Sequence, residues 1–387
     1  MVPYICIMKF PKSLQDKLSQ RQDNKALRQL PAANGLIDFA SNDYIGFSRN
    51  TTVFHNVHQL LLDRDLMMNG ATGSRLLSGN HILYTEAESH IADFHKSEAA
   101  LIFNSGYDAN VGFLSTVPQR NDLILYDELC HASIRDGIQM SNAKSFKFSH
   151  NDLEELKKLI LKFTTETNEI YIITESVFSM DGDAPNLEKL AQLSDEHDCL
   201  LVIDEAHALG VFGEKGEGLV QSIGLQDRFF ARIMTYGKGL GCHGAAVIGS
   251  GNLKNYLVNF ARSFIYTTGL SPHSVATILI AYQQLEQQQD NLKKLRSNII
   301  FFNQEKMRLG LKPMFVYSKS AIQCAIIPGN EKVKNIAVQL QQKGFDVKPI
   351  LSPTVPENQE RLRFCIHSYN SEDEISEVLE LLATFVF

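Results

Sequence analysis

Nowhere in this chain do about 18 apolar residues follow one another without interruption, so nothing in it has the length of a membrane-crossing helix. The apolar opening Val2 to Met8 has no basic residues ahead of it and is too short for a leader core, so a secretory leader is not expected. Charge forms no long single-sign block. The 37 Lys+Arg against 44 Asp+Glu leave −7, which argues against a dominant polyanion-binding surface and against nucleic acid as the main partner. The six cysteines (Cys6, Cys130, Cys199, Cys242, Cys324 and Cys365) contain no C-x-x-C pair, which disfavours a Cys-built zinc site and fits reduced thiols in a cytoplasmic protein. No metal site, internal repeat or low-complexity tract is expected.

What is present is material for a large core: 387 residues, 44% of them hydrophobic, with 23 Phe. Between about Glu98 and Ser250, short apolar runs alternate with segments of helical spacing, the pattern of an α/β layer with a largely parallel sheet. The runs are Ala99–Phe103, Leu123–Tyr126, Ser145–Phe148, Ile170–Thr174, Leu200–Asp204, Ile233–Tyr236 and Ala245–Gly249. Asn151-Asp-Leu-Glu154 resembles a capping box opening a helix to about Phe163, and Asn186 is placed to cap another. A long helical pattern from Ser271-Pro272 towards Met307 predicts a connector. A smaller α+β unit follows, with strands Ile322–Ile327, Asp346–Ile350 and Arg361–His367 and helices Glu331–Lys343 and Glu372–Thr384. The expected division is an N-terminal arm over 1–45, a large α/β domain over 46–285, and a small α+β domain with its connecting helix over 286–387.

The stretch Leu201-Val-Ile-Asp-Glu-Ala-His207 is an apolar strand that ends in two carboxylates and a histidine. A plain strand end exposed to solvent is one reading, although in open α/β sheets ligands bind at the carboxyl ends of strands. Taken literally, Asp-Glu-Ala-His is the magnesium box of a nucleic-acid helicase, but the phosphate loop such an enzyme requires is absent. The third reading couples Asp204 to Lys238 in Thr235-Tyr-Gly-Lys238, after another strand. A lysine in a cleft forms an imine with an aldehyde cofactor, and a carboxylate keeps a pyridine nitrogen protonated as an electron sink. That pair is the signature of pyridoxal 5′-phosphate (PLP) chemistry.

Gly239-Leu-Gly-Cys-His-Gly244 also satisfies G-x-G-x-x-G, but a strand-like segment follows where the dinucleotide fingerprint needs a helix. These glycines are read as a tight turn that admits a cofactor or acyl chain. The turn Asn104-Ser-Gly106, between an apolar strand and a helical start, is the phosphate anchor to weigh against an ordinary αβ turn, and Thr235 adds a hydroxyl. His131 opens a helix after a strand, where a capping role competes with stacking on a flat ring. Ser179, in Glu175-Ser-Val-Phe-Ser179, also follows a strand and is able to hydrogen-bond a phenolic oxygen.

With these residues the sequence resembles the α-oxoamine synthases, fold-type I PLP enzymes. The likeness extends through Ser41–Gly46, Gly70–Arg75, Ser105–Tyr107, Asp127–His131, Glu175–Asp183, Asp204–His207, Thr235–Gly244, Tyr266–Thr268 and Ser352–Pro356. It implies a PLP-dependent transferase fold with a large, mostly parallel seven-stranded sheet and a smaller C-terminal α+β domain. It implies that Lys238 bears the cofactor, Asp204 pairs with the ring nitrogen, His207 and Ser179 reach the phenolic oxygen, and His131 stacks on the ring. Gly106, Tyr107 and Thr235 would hold the phosphate, with Thr267 and Thr268 arriving from a second subunit of a homodimer. Asn42 and Arg363 match positions that bind the amino-acid carboxylate, and Thr354 and Arg28 match substrate contacts. Leu351 departs from the pattern, since some relatives carry arginine there. The reaction implied is a decarboxylative condensation of L-alanine with a pimeloyl thioester, on coenzyme A or acyl carrier protein, in biotin biosynthesis. The alternatives within the family pair glycine with acetyl-CoA or serine with palmitoyl-CoA. A non-catalytic ligand-binding module on the same fold is the alternative outside it.

Overall fold

The computed structural model describes residues 10–28, 30, 35–164, 168–287 and 289–387. A short strand, β1 (Ile37–Asp38), precedes the seven strands of the main sheet. These are β2 (Ala99–Phe103), β3 (Leu123–Asp127), β4 (Lys144–Phe148), β5 (Ile170–Glu175), β6 (Leu200–Asp204), β7 (Ala231–Thr235) and β8 (Ala245–Gly249). Their spatial order is β2-β8-β7-β6-β5-β3-β4, and every pairing is parallel except the two made by β8. The sequence therefore predicts the sheet correctly, with β7 beginning two residues earlier than expected. The central strands β5 and β6 are buried almost end to end, as strands covered on both faces must be, and this is why they read as largely apolar runs that turn polar only at their carboxyl ends.

Helices cover both faces. In Leu153–Phe163 the residues Leu156, Ile160 and Phe163 fall on one stripe and pack into the core with Leu123, Ile172 and Ile203. Its cap is Asp152, whose side chain accepts from the Glu155 amide, one residue later than the expected box; Asn151 instead takes a left-handed φ of 57°. Asn186 caps Leu187–Glu196 as expected. The predicted connector is two helices, Pro272–Gln287 and Asp290–Arg308.

Towards the C-terminus, β9 (Ile322–Ile326), β11 (Lys348–Ile350) and β12 (Arg361–Cys365) form a three-stranded antiparallel sheet in the order β11-β12-β9. The expected strand Asp346–Ile350 is split, because β10 (Phe345–Asp346) turns away to pair in parallel with β1. The arm helix Lys12–Asp23 buries no residue, and Lys25 reaches Glu331 at 2.9 Å. The chain start Met1-Val-Pro-Tyr lies outside the described residues. No helix among the described residues is long and apolar enough to cross a membrane.

Candidate active site

The carboxyl ends of the parallel strands carry Asp127, Glu175, Asp204 and Thr235, and the site is built on that edge. Register sets the spacing. Glu175 stands beside Asp204, while Phe103 at the end of β2 and Thr235 at the end of β7 both face Ala245 of the β8 strand between them. The turn that follows Phe103 is thereby held close to Thr235. A methyl group on Gly106 would lie 2.4 Å from Thr235 Oγ1, so only glycine lets the two approach. Ser105 caps the helix Gly106–Leu114 by accepting from the Asp108 amide at 3.1 Å. The result is an amide-rich helix start facing a hydroxyl, a cradle suited to a phosphate.

Lys238 follows β7 and is partly buried. Its Nζ lies 2.9 Å from His207 Nε2. His207 Nδ1 is 2.6 Å from the Tyr44 hydroxyl, which is 3.1 Å from Asn42 Oδ1; Arg363 Nη2 reaches the same oxygen at 2.9 Å. Hydrogen counting orients this chain of contacts. Arg363 can only donate, so the Asn42 atom is the carbonyl oxygen. The single Tyr44 hydrogen goes to it, leaving His207 Nδ1–H to donate to Tyr44 and His207 Nε2 to accept from Lys238. Burial, reinforced by the Lys238 charge, holds the His207 pKa well below its ordinary value, consistent with that neutral tautomer.

Asp204 is buried, with Oδ2 accepting from Asn110 Nδ2 at 2.8 Å and Oδ1 from the Ala206 amide at 2.9 Å. Burial lowers the Lys238 pKa, and the nearby Asp204 and Glu175 charges counter that shift. Glu175 is itself pushed up to about 8 by burial and by Asp204, and it accepts from the His131 amide at 2.6 Å. His131 takes the capping role: its Nδ1 caps the helix Ala132–Met140, and its ring borders a cavity of about 520 Å³ together with Ser179 and Thr354.

Lys238, Asp204, His207, His131, Asn42 and Arg363 are thus brought together, and Arg363 Nε also donates to the Ser179 carbonyl at 2.7 Å. Tyr107 is exposed and donates to Asp136 Oδ2 at 2.7 Å. Within this one chain, the Thr267 hydroxyl and the Thr268 carbonyl accept from Asn104 Nδ2, in the chain's own Asn104–Gly106 turn. Arg28 is exposed after the arm helix and lines neither the 520 Å³ cavity nor the 550 Å³ cavity beneath the arm. Leu351 packs against the main apolar core. The glycines after Lys238 do form a tight turn, but its close neighbours are protein backbone. A methyl on Gly239 would meet the Leu209 carbonyl at 2.3 Å, and one on Gly241 the Ser48 amide at 2.1 Å.

Tyr44, Asn110 and Glu175 were not singled out by the sequence. Asn110 had a usable signal, standing one helical turn beyond Gly106 and on its face. Among the described residues no group of three His, Cys, Asp or Glu is placed to hold a metal ion.

The family model for aminotransferases of class I and II matches residues 34–382. The chain belongs to that family. Within the class I and II aminotransferases it is 36% identical to the 8-amino-7-oxononanoate synthase of Emericella nidulans, over 97% of each chain. The solved 8-amino-7-oxononanoate synthase of Francisella tularensis is 30% identical, with a TM-score of 0.77 over 92% of this chain and 98% of that one. A serine palmitoyltransferase variant from S. paucimobilis, solved with bound PLP and myriocin, superposes with a TM-score of 0.88 at 24% identity, covering 97% and 96% of the two chains. The expected fold-type I architecture and the α-oxoamine synthase likeness are both borne out.

Proposed function

We propose that this acyl-transferring enzyme joins L-alanine to a pimeloyl thioester, carried on coenzyme A or acyl carrier protein, with loss of CO2 and the carrier thiol, giving 8-amino-7-oxononanoate for biotin biosynthesis. Its cofactor is pyridoxal 5′-phosphate. The observation that carries this reading is the 2.9 Å contact of Lys238 with His207 near the buried Asp204, in a chain so similar to a synthase of that name.

The residues fit the cofactor: an amine with a depressed pKa, a buried carboxylate, a flat imidazole at the cavity wall and a helix-start cradle that a single methyl group would fill. When bound, PLP supplies an aldehyde for the amines and a conjugated ring that takes up the electron pair left at Cα. Lys238 would carry it between turnovers. Once released, the Lys238 amine removes the Cα proton, its lowered pKa making the neutral base accessible. His207 Nε2, fixed as an acceptor by Tyr44, orients that amine. Asp204, held by Asn110 and the Ala206 amide, keeps the ring nitrogen charged. Gly106, Tyr107 and Thr235 would hold the phosphate, Ser179 and His207 would reach the phenolic oxygen, and the His131 ring would cover a face of the cofactor. Asn42 and Arg363 would take the amino-acid carboxylate, while Thr354 on the cavity wall and Arg28 outside that wall would contact substrate. Thr267 and Thr268 complete a partner's site in a homodimer, working in the cytoplasm.

The test is spectroscopic and then kinetic. The purified protein is expected to show an absorbance band at the visible edge that borohydride bleaches and that L-alanine shifts with saturation. Turnover with the pimeloyl thioester follows. A saturating shift with L-serine or glycine in place of L-alanine, and turnover with palmitoyl-CoA or acetyl-CoA, would replace the substrates named here. A colourless protein that takes up no PLP would overturn the reading altogether.

A further inference from the structure

The inference that follows rests on the acyl-transfer reading. The cavity beside His131 and Ser179 has an apolar wall from Leu129, Phe178, Met180, Val316, Val355 and Pro356, a lining that favours an aliphatic chain. The charged groups around it are not equivalent. Asp183 accepts from His150 at 2.8 Å, Asp181 is bonded to Arg361, and Glu128 faces Lys147 at 3.4 Å. Each of these acids has a cation beside it, His150 being shared with Asp127. Arg135 also lines the cavity, is exposed, and its guanidinium makes no hydrogen bond or ion pair with any described residue. Arg135 is therefore the one charged side chain of the lining that has no ion-pair partner among the described residues.

Its position is set by the helix Ala132–Met140. Arg135 follows His131 by four residues, roughly 6 Å along the axis and on the same face, so the guanidinium borders the cavity on the side of the His131 ring. The two groups sense each other: burial foremost, then the positive charges of Lys238 and Arg135, hold the His131 imidazole below its ordinary pKa.

We propose that Arg135 is a specificity residue that grips an anionic oxygen group of the acyl donor. A guanidinium offers a rigid fork that a carboxylate or a phosphate meets with two parallel hydrogen bonds, and an arginine with no internal partner gives up none of its own on binding. The anion is either the carboxylate at the far end of a dicarboxylic acyl chain or a phosphate of the thioester's carrier.

Three donors separate these sources: a seven-carbon dicarboxylic acyl-CoA, heptanoyl-CoA, and the same dicarboxylic acyl group on N-acetylcysteamine, which has no phosphate. Arg135→Gln is expected to raise KM roughly tenfold, by more than it lowers kcat, for the donors that carry the recognised anion, and Arg135→Lys to restore part of the loss. A rise confined to the two dicarboxylic donors assigns the carboxylate; a rise confined to the two CoA donors assigns the phosphate. The half-saturation for L-alanine, read from absorbance, should stay at the wild-type value. An equal rise for all three donors, a rise under about twofold for all three, or a matching change in the L-alanine value would overturn the proposal. Calorimetric titration of free coenzyme A and of the free seven-carbon dicarboxylate reads the same contact without turnover. Absent turnover in the wild type thus sinks the acyl-transfer reading, while unchanged binding of both probes by Arg135→Gln sinks this one.

Discussion

Asp204 and Glu205 are adjacent at the end of the same strand, both are buried, and they do opposite work. Alternation along the strand sends Asp204 to the face shared with Asn110, Lys238 and His131. Glu205 turns to the other face, accepts from the Val220 amide at 3.0 Å, and lies 3.9 Å from the buried Arg232. Burial raises the Glu205 pKa, with Arg232 opposing the shift. Two buried carboxylates are therefore distinguished by what faces them: one is placed near a lysine at the candidate site, the other against scaffold.

The largest effect on this comparison comes from removing the base itself. Lys238→Ala should cost at least about three decades in turnover and abolish the borohydride-sensitive band; retention of a tenth of wild-type activity would break the assignment. Next in size, Asp204→Asn should lose about three decades in kcat with little change in melting temperature. Glu205→Gln should keep kcat within a few fold and show its effect as altered thermal stability. If the two variants behaved alike, facing would not be what separates them. Tyr44→Phe removes the hydroxyl between His207 and Asn42, and a fall of about tenfold in kcat is expected, with the pH profile displaced because His207 loses its fixed tautomer.

The smallest effect concerns a second histidine. His150 is held between Asp127 at 2.9 Å and Asp183 at 2.8 Å, and these bonds outweigh its burial, raising its pKa to about 10. A raised folded-state pKa means that the fold binds more protons than the unfolded chain from about pH 6.5 to about 10. The stabilisation is complete below that window and is lost as pH rises through it. His150→Asn should flatten that decline in urea melts; an unchanged slope would contradict the ion-pair geometry.

The sheet was legible because β5 and β6 are apolar up to their polar carboxyl ends, and the Asp204–Lys238 pair because Asp204 ends one apolar strand and Lys238 closely follows another. The sequence likeness pointed to Asn42 and Arg363 but could not reveal that Tyr44 joins them to His207, since that contact spans 163 residues and depends on hydrogen direction. The split of the expected strand at Val347 was hidden for a related reason: the partner of Phe345 is Ile37, far upstream, and no local pattern announces it. The glycines after Lys238 showed that something approaches closely, but not that it is the backbone of Leu209 and Ser48.

The antiparallel strand β8 has a consequence for the order in which this molecule matures. Among the described residues it is the one strand that bridges β2 and β7 by hydrogen bonds, and it is made later than either. A nascent polypeptide that has not yet delivered Ala245–Gly249 lacks the strand that fixes Phe103, and with it the Gly106 turn, in register with Thr235. Competence to capture the vitamin thus arrives late in synthesis, through contacts of high sequence separation that form slowly. Stalled chains released with β7 but without β8 should emerge unable to retain PLP.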